Sequence, residues 1–171
     1  MRHSPESRYY KCVYPRISAF FCRHTAAHRL LRALCRILPL LCGAAYAGML
    51  VFSLICRSRA VFIKELLIPA SLFISVTLLR RKLDFPRPYS VYPVRPLISK
   101  EKYGQSFPSR HAASAVIIAA AGFFLSVPLG AGLMAVAFLI SLSRLLAGVH
   151  FLRDVLAGWG LGAVFGILFF I

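Results

Sequence analysis

The chain has 171 residues, 59% of them hydrophobic, and a mean hydropathy of +0.74. That apolar content exceeds the roughly 45–50% of ordinary globular domains, which excludes water as the main solvent. Only five Asp and Glu stand against 21 Lys and Arg, a formal charge of +16; because the basic residues fall between apolar runs, they mark membrane flanks and sites for anionic headgroups, and no nucleic-acid partner is expected.

The N-terminus carries Arg2, Arg8, Lys11 and Arg16 with no small-residue cleavage signature, so it does not read as a removable signal peptide, and the mature protein is expected to be the whole chain. Residues 16–32 alternate apolar and basic side chains at helical spacing, with Ile17, Phe20, Ala27 and Leu31 on one side and Arg16 and Arg23 opposite. This predicts one amphipathic helix lying on anionic lipid, since Arg23, His24, His28 and Arg29 would all sit at depth if it spanned. The cysteines (Cys12, Cys22, Cys35, Cys42 and Cys56) form no C-x-x-C pair and lack histidines at ligand spacing, so they read as small apolar residues, and no metal or other cofactor is expected.

Five apolar stretches then approach the 17–25 residues that a bilayer core of ~30 Å requires: residues 37–55, 60–79, 112–127, 129–143 and 155–171. The second carries Lys64 and Glu65 near its start, where snorkelling or pairing at the interface is expected. Pro128 suits a tight turn between the third and fourth. Residues 81–107 hold Pro86, Pro88, Pro93, Pro96 and Gly104, so no regular element is expected in that long loop. The reading is an all-α polytopic transmembrane helical bundle of five spans plus an N-terminal amphipathic helix. Residues 1–36 form the interfacial segment and residues 37–171 the transmembrane domain, in a cell membrane.

Three polar clusters interrupt the apolar chain, each at the edge of a predicted span: Arg80-Arg81-Lys82 with Arg87-Pro88; Phe107-Pro108-Ser109-Arg110-His111; and Ser143-Arg144 with His150 and Asp154. Two spans separate the first cluster from the third, so all three fall on one membrane face. Their content, cationic and imidazole-rich with one carboxylate, complements a phosphate dianion rather than a metal ion. A helix opening at Ser109 adds free backbone N–H groups and the positive end of a dipole. His150 and Asp154 stand four apart; on a helix the carboxylate would accept the ring's Nδ1–H and leave Nε2 as a nucleophile. His111, from another helix, is placed to protonate a leaving alkoxide. A lone histidine at a membrane flank is usually an interfacial anchor, but two with an aspartate and several arginines on one face point to an active site. Arg81, Lys82, Lys100 and Lys102 need no role beyond the positive flank, and Gly158, Gly162 and Gly166 none beyond close helix contact.

These clusters resemble the motifs of the type 2 phosphatidic acid phosphatase and haloperoxidase superfamily: Lys, six residues, Arg-Pro; then Pro-Ser-Gly-His; then Ser-Arg, five residues, His, three residues, Asp. The third is matched in full by Ser143, Arg144, His150 and Asp154, and the second by Pro108, Ser109 and His111. The resemblance implies a small integral-membrane phosphatase in which His150 forms a phosphohistidine, Asp154 orients it and His111 acts as leaving-group acid. Arg80, Arg87, Ser109, Arg110 and Arg144 would bind the phosphate oxygens without a metal. Arg80 stands where the family commonly has Lys and Arg110 where Gly is commonest, and the family core usually has six helices.

The expected function is hydrolysis of a lipid phosphate or polyprenyl diphosphate; the alternative is a catalytically silent membrane protein that binds anionic lipid phosphates. The expected partners are a lipid phosphate substrate and the membrane. With five spans, 18 of the 21 Lys and Arg fall on the side bearing the polar clusters and three on the other, so the positive-inside rule predicts a cytoplasmic catalytic face.

Overall fold

The computed structural model describes residues 8–98 and 103–171. Arg2, named above in the basic N-terminus, and Lys100 and Lys102, assigned above to the positive flank, lie outside them. The described residues contain no β-strand. A π-helical turn, Tyr9–Val13, leads into α1 (Tyr14–Arg23), followed by α2 (Thr25–Cys56), α3 (Arg59–Leu83), α4 (Pro88–Val91), α5 (Arg110–Leu125), α6 (Val127–Leu146) and α7 (Leu152–Ile167). Helices α2, α3 and α6 are each long and apolar enough to cross a bilayer. The expected transmembrane helical bundle is therefore borne out.

Helix α5 is the axis of the bundle. It is alanine-rich and apolar all round, with Ala112, Ala113, Ala115, Ala119 and Ala121 all buried. Its most extensive packing is against α6 and α7, and it also meets α3 and α2. Small side chains on this axis let neighbouring backbones approach closely, which is how helices gain packing energy where lipid removes the hydrophobic drive. The three buried glycines of α7 continue the same logic. A methyl group on Gly162 would fall 2.8 Å from the Val116 Cβ, and one on Gly166 2.8 Å from the Ala120 Cβ, both on α5.

Several expected boundaries move. The single amphipathic helix over 16–32 is divided at His24, whose φ of −106° and ψ of 88° end α1. Residues 25–36 instead begin α2, so the boundary expected at residue 36 falls inside a helix of 32 residues, about 48 Å long and well beyond a bilayer core. That extension folds over the loop before α5 and the turn after α6: Leu31 and Cys35 are buried with Leu97, Ala147 and Val149, and His28 Nε2 lies 2.8 Å from the Leu97 carbonyl. Pro128 does not make the turn between α5 and α6. Ser126 alone connects them, and Pro128 sits in the first turn of α6, where its missing N–H costs nothing. For the same reason Pro88 opens α4 inside a loop expected to have no regular element. The last helix stops at Ile167, short of the expected Ile171. Glu65 neither snorkels nor pairs at the interface; it is fully buried, near an equally buried Ser53, and its backbone carbonyl accepts a 2.8 Å bond from the Tyr46 hydroxyl on α2.

Candidate active site

The site is built where the N-termini of α5 and α7 meet the C-termini of α3 and α6. Ser109 is the N-cap of α5, and its N–H donates to the Asp154 carbonyl at 2.8 Å. Gly158 allows this approach: a methyl group there would lie 2.6 Å from the Ser109 carbonyl oxygen. The Ser109 hydroxyl is buried and has no hydrogen-bond partner among the described residues. It makes no capping bond, so the first-turn N–H groups of α5 retain their capacity for an anion.

Asp154 stands at the third position of α7 and is fully buried. Its Oδ2 reaches back to accept the Phe151 N–H at 3.0 Å, the carboxylate half of a capping box. The same oxygen accepts a short bond from the Ser106 hydroxyl and lies 3.4 Å from His150 Nδ1. His150 itself is not on a helix, contrary to the expectation of a shared helical face. It precedes the N-cap Phe151, in a turn that Gly148 enters at φ +70°, a left-handed conformation that glycine adopts without a side-chain penalty. The pairing survives because an N3 carboxylate that reaches back over its N-cap also reaches the residue before it.

Burial pushes the His150 imidazole down to about 4, with Arg87 and Arg80 adding to the effect and Asp154 opposing it through its hydrogen bond and charge. The ring is thus neutral at physiological pH. With Nδ1–H directed at Asp154, Nε2 carries the lone pair.

Three guanidinium groups are buried around it: Arg80, Arg87 and Arg144. Arg80 donates through Nη1 to the Ser106 carbonyl at 3.2 Å and, more closely, to that of Pro108. Arg87 donates through Nε to Gly104 O at 3.0 Å and through Nη1 to Val149 O at 3.2 Å. Its backbone is set by its own N–H donating to the Tyr103 carbonyl at 3.1 Å and to the Ser90 hydroxyl at 3.0 Å. Burial lowers the Arg87 pKa, with the Arg110 charge adding and Tyr89 and Asp154 opposing. Arg144, in the last turn of α6, donates through Nη2 to Cys35 O at 2.7 Å, and its Nε has no partner among the described residues. All these guanidinium bonds run to carbonyls, so among the described residues three buried cations gather at a site with one buried carboxylate, Asp154. Uncompensated buried charge is costly, and it is tolerated where an incoming anion completes the site.

His111 lies in the first turn of α5, half-buried, beside the junction with α7. Arg110 is exposed, and its guanidinium sits over the Phe73 ring of α3 at 5.4 Å from the centroid. All eight residues singled out in the sequence therefore lie at or beside one junction, although Arg110 stands at its exposed outer side, over Phe73. Two residues of the site were not singled out: Ser106, fully buried on Asp154, and Tyr10, whose hydroxyl donates to the His150 carbonyl at 2.9 Å. Ser106 could have been suspected only from its nearness to Pro108, and Tyr10 carries no sequence signal.

Helix α5 also borders an apolar cavity of about 530 Å³ between α2, α3 and α5, lined by Tyr46, Phe73, Ile74, Ile117 and Ile118 among others. Phe73 links the two features, since Arg110 lies over its ring.

Comparison with known proteins gives a consistent result. No curated protein matches the sequence. Among solved structures, LpxE of Aquifex aeolicus is similar over 90% of this chain and 93% of its own, at 30% identity and a TM-score of 0.69. A transmembrane PAP2-type phosphatidylglycerolphosphate phosphatase from Bacillus subtilis shares the fold over 98% of this chain and 86% of its own, at 23% identity and a TM-score of 0.64. Residues 66–171, which hold every residue of the three polar clusters, match the PAP2 superfamily. The chain belongs to the PAP2 superfamily.

Proposed function

We propose that this protein is a metal-independent membrane phosphatase that hydrolyses a lipid phosphate monoester or a polyprenyl diphosphate through a phosphohistidine at His150. The observation that carries this reading is a buried imidazole 3.4 Å from Asp154, gathered with three buried guanidiniums that have no carboxylate partner among the described residues. His150 Nε2 attacks the terminal phosphorus, the bond from that phosphorus to the leaving oxygen breaks (the lipid alcohol's oxygen in a monoester, the bridging oxygen of the polyprenyl monophosphate in a diphosphate), and His111 gives its proton to the departing oxygen. Arg80, Arg87, Arg144 and the Ser109 hydroxyl hold the phosphoryl oxygens, with Arg110 at the entrance. Charge that develops on those oxygens in the transition state meets donors already fixed by carbonyls, so little reorganisation is needed at the moment of reaction. Water then attacks the phosphohistidine with His111 as base; inorganic phosphate leaves and His150 returns to its neutral form.

The apolar cavity supports a substrate with a hydrocarbon chain, because Phe73 and the first turns of α5 connect it to the cationic end. The Bacillus protein of the same fold is described as a phosphatidylglycerolphosphate phosphatase, which makes that substrate class the first to assay. The test is release of inorganic phosphate from phosphatidylglycerolphosphate, phosphatidic acid and a polyprenyl diphosphate by purified protein in detergent, with EDTA present. Turnover that persists in EDTA is expected. Binding without turnover would favour a silent lipid-phosphate binder, and activity abolished by EDTA and restored by a divalent ion would overturn the mechanism.

A further inference from the structure

The turn that carries His150 is not held by a helical ladder, because α6 ends at Leu146 and α7 begins at Leu152. Its two successive carbonyls are instead gripped by side chains from distant parts of the chain. Arg87 Nη1 donates to Val149 O at 3.2 Å, and the Tyr10 hydroxyl donates to His150 O at 2.9 Å, across 140 residues of sequence. Tyr10 is 3% exposed. Its ring stacks on Tyr92 at 5.3 Å and 9°, and meets Phe151, the residue after His150, edge-on at 5.2 Å and 80°. Tyr14, one turn later and fully buried, packs its ring on Gly148 and donates its hydroxyl to Arg95 O at 3.3 Å.

We propose that Tyr10 is a positioning residue for His150: the phenol fixes the peptide from which the imidazole projects, and the N-terminal segment thereby acts as a clamp on the catalytic turn. This rests on His150 being the nucleophile. Among the described residues the imidazole has one side-chain anchor, Asp154, at a long 3.4 Å, so the direction of Nε2 depends on the backbone as much as on the carboxylate. Fixing the His150 carbonyl removes rotation of that peptide, and the stacked rings remove translation of the turn. A nucleophile held in line with phosphorus gains rate through orientation alone, without any contact between Tyr10 and substrate.

The test is Tyr10→Phe, which keeps the ring and removes the hydroxyl, compared with Tyr9→Phe, which removes a hydroxyl from the same turn, and with His150→Asn. Expected for Tyr10→Phe is a five- to tenfold slower formation of the phosphoenzyme in single turnover, with KM for lipid phosphate and the thermal midpoint in detergent unchanged. Tyr9→Phe should stay within twofold of wild type. A Tyr10→Phe rate within twofold of wild type, or an equal loss in both variants, would overturn the clamp. Should Tyr10→Phe fail to fold, a fluorinated tyrosine at position 10, which alters donor strength but keeps the contact, replaces it. A changed single-turnover rate at constant KM then supports the clamp, and an unchanged rate overturns it. If His150→Asn retains activity, the nucleophile assignment fails and the clamp with it; if His150→Asn is inert and Tyr10→Phe is as fast as wild type, the clamp alone fails.

Discussion

Replacing Gly158 by alanine probes how closely α5 and α7 must meet for the site to assemble. The added methyl group would lie 2.6 Å from the Ser109 carbonyl oxygen, 3.1 Å from the Ala112 Cβ and 3.2 Å from the Ala113 nitrogen, where ordinary contact begins at 3.4 Å. Two of these three neighbours are backbone atoms, so no side chain can swing aside to relieve the worst contact. Helix α7 must therefore retreat by about 0.8 Å at this level, and the 2.8 Å bond from Ser109 N to Asp154 O would stretch to about 3.6 Å, beyond hydrogen-bonding length. Overpacking of this kind costs about 1–3 kcal/mol, and the lost bond about 1 kcal/mol more. The better helix propensity of alanine returns only about 0.5–1 kcal/mol. The variant should be about 1–3 kcal/mol less stable. Because Ser109 and Asp154 both move relative to His150, phosphate release should fall about ten- to a hundredfold. Gly160→Ala is the control: it lies on the same helix with nothing within 4 Å, and should keep full activity and equal or slightly higher stability. Thermal unfolding in detergent and phosphate release, measured on both variants, decide it. If Gly158→Ala matches Gly160→Ala in both, the helix contact does not assemble the site.

Two further predictions concern the histidines. His111→Ala should slow hydrolysis of a natural lipid phosphate by about 10²–10⁴-fold, yet scarcely affect an activated aryl phosphate whose leaving group needs no proton; equal losses on both substrates would remove His111 from the acid role. Because burial lowers His150 from 6.5 to about 4, the unfolded chain binds its proton more readily than the folded one. Stability should therefore fall as pH drops from about 6.5 towards 4, by up to roughly 3 kcal/mol. His150→Asn lacks this dependence, so the gap between the two thermal midpoints should shift with pH across that window; parallel curves would show that His150 is not held neutral by burial.

The apolar stretches and the spacing of the three polar clusters were enough to read the bundle and to bring the eight candidate residues to one junction, because hydropathy and helix ends are local properties. What escaped the sequence depends on distant contacts. The break at His24 involves no proline or glycine within the segment, and the extension of α2 over the turn after α6 follows from burial of Leu31 and Cys35 against Leu97 and Val149. Pro88 and Pro128 look like breakers in the sequence, whereas a proline at the first turn of a helix is tolerated and even favoured. The His150 and Asp154 pair was expected for the wrong local reason: spacing of four suits a helix face, but here a helix N-terminus lies between the two residues. Tyr10 could not be found at all, since an aromatic residue near an N-terminus has no periodicity or motif to mark it.

Phosphoryl transfer through His150 stands or falls with the identity of the nucleophile. The measurement is rapid-quench trapping of the enzyme with lipid phosphate labelled on the transferred phosphoryl group, followed by mapping of the labelled residue. A phosphoenzyme stable in alkali and labile in acid, with the label on His150 and absent from His150→Asn, is the predicted result. Label retained in His150→Asn, label mapped to another side chain, or full turnover by that variant would contradict it.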